Sequence, residues 1–203
     1  MEIDSRRRKG TPMNFARIFR AVILRFLSLF EKNSKMLVLI DLENILLNIQ
    51  NFRDMSSLGF PQKKFDEMIG QLGKIAQVAA TFVFGPTNTI TRHGDYLRGL
   101  GFIPVLCPLV VHKKETGSSS DKRDTVDPTM IEIGRTMMSL SSGLTHLCIV
   151  SGDSDFVPLA REAQRRGLDV VVVAGNGTSL ANELKGFACS HKGEQAVFLL
   201  KED

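Results

Sequence analysis

KMLVLID, residues 35–41, is an unbroken apolar run that ends in an acid. A strand with one wet face alternates apolar and polar residues; one without alternation is buried on both faces, as in a parallel sheet held between helices. Four similar runs follow at 78–85, 102–107, 145–150 and 168–174. Helical patterns separate them, at 43–52, 63–76, 89–100, 127–140 and 155–166. Pro104 inside the 102–107 run cannot donate to a ladder, which predicts an edge position for that strand. The alternation predicts an α/β fold: an open parallel sheet with helices on both faces, a Rossmann-like three-layer arrangement. The stretch HKKETGSSSDKRDT, 112–125, has loop composition and no periodicity.

At 203 residues the chain fits one domain with an appendage. The division falls near residue 35, giving a basic arm over 1–35 and the α/β domain over 36–203. The formal net charge of +4 is unevenly spread: residues 1–35 carry nine Lys or Arg and three acids, so the remainder is slightly acidic. Attraction for nucleic acid must therefore come from local patches, bound cations or the arm. Within the arm, Phe15, Ile18, Phe19, Val22, Ile23, Phe26, Leu27 and Phe30 recur at the spacing of one helix face. Arg17, Arg20 and Arg25 interrupt every apolar stretch, which excludes a transmembrane span. Residues 13–30 therefore read as an amphipathic helix. It is expected either to lie on an anionic membrane or to dock on its own domain or a partner protein, including a second copy in a homodimer. Three scattered cysteines form neither a disulfide framework nor a zinc motif, which predicts a cytoplasmic protein, peripheral on the inner membrane surface if the arm binds lipid.

The chemistry sits in acids. In open parallel sheets, ligands bind beyond the carboxyl ends of the strands, where strand order reverses. Asp41 ends the first run, and Asp153 and Asp155 follow the run 145–150. If those strands are neighbours, about 4.8 Å apart, the three acids converge. Asp127 opens the helix that leads into the second strand, a place strand logic alone does not connect to the others. Each also has a local use: Asp127 before Pro128 fits a helix cap, and Asp153 or Asp155 could cap the next helix. Crowded carboxylates repel unless one is protonated or a cation neutralises them. An oxygen-only set selects a hard cation, Mg²⁺ or Mn²⁺, and such an ion suits phosphodiester hydrolysis. Ser151 and Ser154 are candidates to bond the metal's water or the substrate, with local turn bonding as the alternative. GNGTS at 175–179 lacks the full dinucleotide-binding pattern.

DLEN (41–44), VD (126–127) and SGDSDFVPL (151–159), followed by RRGLDVVVV, resemble the NYN domain of the LabA-like group in the PIN-like nuclease superfamily. The resemblance spans Met36 to about Leu200. It implies a PIN-like parallel sheet with an acidic metal pocket and ribonuclease activity on RNA. By motif, Asp41, Asp127, Asp153 and Asp155 match the acidic, metal-holding positions, and Asn44 matches the polar position after the first. Relatives often carry Lys three residues before the second-motif aspartate, where this chain has Asp124; Lys122 and Arg123 stand nearby as candidates for substrate phosphate. The rival expectation is a noncatalytic RNA- or nucleotide-binding regulatory module recruited by its N-terminal helix.

Overall fold

The computed structural model describes residues 34–49, 61–113, 120–123, 125–188, 190–191 and 194–201; the helix expected over 13–30 and Asp124 lie outside them. The chain runs β1 (Lys35–Asp41), α1 (Leu42–Ile49), α2 (Gln62–Leu72), β2 (Gln77–Pro86), α3 (Thr87–Gly99) and β3 (Ile103–Cys107). A hairpin of β4 (Val110–Lys113) and β5 (Ser120–Arg123) follows, then α4 (Val126–Leu140) and β6 (Leu144–Val150). A 3-10 turn at Ser154–Phe156 enters α5 (Val157–Arg165), and β7 (Asp169–Ala174) and α6 (Asn182–Lys185) come next. Two short paired strands, β8 (Ser190–His191) and β9 (Glu194–Gln195), precede β10 (Val197–Leu199).

Six strands form one parallel sheet in the order β10-β7-β6-β1-β2-β3. The chain builds outward from β1 to β3, returns to the other side of β1, and builds outward again through β6, β7 and β10. Crossovers between parallel strands are right-handed, so reversing direction moves the helices to the opposite face. On one face Ile45, Phe65, Met68, Ile90 and Leu97 of α1 to α3 pack on Met36, Val38 and Ile40. On the other, Met130, Leu159, Ala163 and Leu184 of α4 to α6 pack on Leu37 and Leu39. Successive residues of β1 thus enter two separate cores, which is why its run has no polar member. Each such side chain contributes about 1.5–3 kcal/mol on burial.

Two segments depart from the sequence expectation. Part of 112–125 pairs as a hairpin, from Val110 opposite Arg123 to Lys113 opposite Ser120. Its backbone groups satisfy one another without needing an apolar pattern. The apolar stretch near the C-terminus adds a sixth strand, Val197–Leu199, beside β7. β3 takes the edge, as Pro104 requires. On the outer surface Glu162 of α5 accepts bonds from Arg166 at 2.8 Å and from Arg135 of α4 at 2.9 Å. The Arg135 pair fastens the two helices and the Arg166 pair lies within the end of α5; such pairs contribute about 0.2–1 kcal/mol each. Among the described residues no helix is long and apolar enough to cross a membrane.

Candidate metal centre

The strand order reverses between β1 and β6, and Ile40 pairs with Val150 there. The next residue on each strand, Asp41 and Ser151, therefore emerges at the same rim. Asp41 is 6% exposed. One carboxylate oxygen accepts the Asn44 N–H at 3.1 Å, so Asp41 caps α1. The other accepts the Ser151 hydroxyl at 3.3 Å. Ser151 is fully buried, and its oxygen in turn accepts the Asp153 N–H at 3.2 Å. Asp153 then caps the 3-10 turn, accepting the Asp155 N–H at 3.0 Å. A run of three bonds, one across the strand reversal and two within the loop, thus carries the position of Asp41 out to the two acids.

Asp127 arrives from α4. The helix starts at Val126, so Asp127 lies in its first turn and Thr125 holds the cap position. This corrects the reading of Asp127 as a cap ahead of Pro128. The Thr125 hydroxyl donates to the Pro108 carbonyl at 2.8 Å, tying the start of α4 to the end of β3. Asp127, Asp153 and Asp155 each offer a carboxylate oxygen, and the three lie within 4.8 Å of one another. Oxygens bound about 2.0–2.6 Å from one cation are separated by distances of this order, so the set fits a single hard divalent ion. Asp41 is not one of the three; it stands behind them, buried, with Asp127 and Asp153 close enough to raise its pKa.

A model of the NYN domain matches residues 35–190. The chain belongs to the NYN domain family. That membership places the domain in the PIN-like nuclease group. No curated protein matches it significantly. A crystal structure of a protein of unknown function from Vibrio parahaemolyticus is similar in fold, with a TM-score of 0.57 and 18% identity over 83% of this chain and 93% of that one.

The other polar residues of this NYN domain lie on α1, the aspartate loop, β5 and α5. The Asn44 side chain accepts the Gly152 N–H at 3.1 Å, joining α1 to the aspartate loop. Ser154 is exposed beside Asp153 and Asp155. Lys122 and Arg123 lie on β5, their backbones opposite Val111 and Val110. Arg161 of α5 lies with its guanidinium 5.8 Å from the centre of the Phe187 ring. Sequence reasoning missed Asn48, Asn176 and Ser179, which hold the loops of the site together. Asn176 and Ser179 fall in the GNGTS stretch, whose pattern pointed only to an incomplete dinucleotide loop, and Asn48 left no signal.

Burial pushes the Asp41 carboxyl from 3.8 up to about 7, and the charges of Asp127 and Asp153 add to it, against the bonds from Asn44 and Ser151. The folded domain therefore holds a proton that the unfolded chain releases. Stability from this group is fully present below pH 3.8 and is lost as pH rises to about 7. At about 1.4 kcal/mol per pH unit the loss reaches about 4 kcal/mol at most. Asp41→Asn, which removes the charge and keeps the shape, is expected to flatten this dependence and to stabilise the metal-free protein at pH 8. Urea unfolding in a chelator at pH 5 and pH 8 checks it, and parallel pH dependences for the two proteins would refute it.

Proposed function

We propose that this NYN domain is a Mg²⁺- or Mn²⁺-dependent ribonuclease that hydrolyses RNA phosphodiester bonds. The observation that carries the proposal is the convergence of Asp127, Asp153 and Asp155 within 4.8 Å at the strand reversal. These three would hold the ion. A divalent cation there supplies charge neutralisation at phosphate and makes water more acidic. The chain itself supplies orientation. Asp41 holds Ser151, Ser151 holds the Asp153 backbone, and Asp153 holds that of Asp155, so the carboxylates are aimed before substrate arrives. Burial raises the Asp41 carboxyl to about 7, so near neutral pH it can take up a proton, which removes one charge from the group. Ser154, exposed at the loop, and Lys122 and Arg123 on the hairpin are the candidates for RNA contact. The SGDSDFVPL segment favours the LabA-like group within the family, and the arm at 13–30 would bring the activity to a membrane or a partner protein.

The test uses the purified full-length chain with single-stranded and hairpin RNA. Cleavage with Mn²⁺ or Mg²⁺, stopped by a chelator and restored by excess ion, is the expected result. Thermal stabilisation by the ion without cleavage of any RNA would instead support the noncatalytic module, a reading that Asp124 favours by standing where relatives often have Lys. Neither stabilisation nor cleavage would remove the metal from the account.

A further inference from the structure

Gly152 precedes Asp153, so the orientation of its two flanking peptide groups decides where that acid points. Both polar groups of Gly152 are held. Its N–H donates to the Asn44 side chain at 3.1 Å, and its carbonyl accepts the Ala181 N–H at 2.8 Å. The Cα rests against the chain at Ser179, where an added Cβ would lie 2.0 Å from the Ser179 carbonyl oxygen. Two separate elements, α1 and the loop that follows β7, thus grip one residue.

Asn176 connects the two grips. Its amide nitrogen donates to the Asn48 carbonyl at 2.9 Å. The Asn48 side chain donates to the Asn44 carbonyl at 2.6 Å, with the Asn44 side-chain oxygen 3.4 Å away. The opposite end of the Asn176 amide, its oxygen, accepts the Ser179 N–H at 2.8 Å and the Thr178 hydroxyl at 2.9 Å, closing the turn that presents Ser179 to Gly152. Backbone contact reinforces the joint. A Cβ on Gly175 would lie 2.4 Å from that of Asn48, so the loop and α1 touch directly.

We infer that Asn176 is a positioning residue for the metal centre, acting through Asn48 and Asn44 on the N–H of Gly152 and through its own turn on the carbonyl side. The inference rests on the reading of Asp127, Asp153 and Asp155 as metal ligands. Asn176 is no ligand itself. It fixes the angle at which the loop offers Asp153, the task that outer partners perform in metal sites.

Calorimetric titration of Mn²⁺ into the full chain tests this, comparing wild type with Asn176→Ala and Asn176→Asp. The aspartate keeps the oxygen that closes the turn and loses the donor to Asn48, so it guards against a variant that does not fold. Both are expected to bind Mn²⁺ about 10-fold more weakly while keeping the wild-type circular dichroism. Affinity equal to wild type in the folded variants would overturn the inference and leave the metal centre standing. A wild type that binds no Mn²⁺ would overturn both.

Discussion

Asp153→Asn is expected to lower Mn²⁺-dependent RNA cleavage by about 100-fold or more, equivalent to about 2.7 kcal/mol of barrier. The substitution is narrow in its effect. The asparagine oxygen can still accept the Asp155 N–H that closes the 3-10 turn, and Asn is as good a cap as Asp. What is lost is one of three negative charges within 4.8 Å of one another. Without metal that charge is repelled by its neighbours, so the variant should be no less stable than wild type and slightly more so in a chelator. Opposite signs for activity and stability are what separates a ligand from a structural residue. Initial rates of cleavage and urea midpoints in a chelator measure the two. Unchanged cleavage would place the chemistry elsewhere, and a lowered midpoint would make Asp153 chiefly a cap.

Gly152→Ala is expected to destabilise the domain by about 3 kcal/mol or more. The new methyl group would stand 2.0 Å from the Ser179 oxygen and 2.7 Å from its carbonyl carbon. Both are backbone atoms, so no rotamer change relieves the overlap. Crowding of this kind costs about 1–3 kcal/mol. Moving the loop away also strains the bonds from Ala181 and to Asn44, each worth about 1 kcal/mol. Urea unfolding gives the magnitude, and Mn²⁺ titration of the same variant should show weakened binding because Asp153 moves with Gly152. A loss below about 1 kcal/mol would mean that the 176–181 turn yields easily, which would also remove the mechanical basis for the role of Asn176.

The sheet was legible because the inner residues of β1, β6 and β7 are buried on both faces and are apolar. Their apolar runs mark them, whereas the reversal beside β1, a condition in the sequence reading, is supplied by the strand order. Asp41, the last residue of β1, and Asp153 and Asp155, in the loop after β6, were legible by their place at the carboxyl ends of those strands. Asp127 was not placed by that logic. It reaches the pocket through the packing of α4 across the sheet and the Thr125 anchor on Pro108, neither of which leaves a pattern in sequence. The stretch 112–125 was read as loop because the pairing of Val110–Lys113 with Ser120–Arg123 is between backbones. The inward position of Asp41 was also unreadable, since burial of a strand-end acid depends on what the neighbouring loop lays over it. Asn48 and Asn176 bond across 128 positions, and a lone asparagine in a helix or a turn gives no hint of such a partner.

Asp41 and Ser151 are 110 positions apart and meet only after the chain has doubled back on itself. Closing so long a loop is entropically costly and tends to come late in folding. On the proposed activity, a nascent or misfolded chain carries every aspartate yet lacks the constellation. On that proposal such a polypeptide would leave RNA intact, with maturation of its tertiary structure serving as the safety catch.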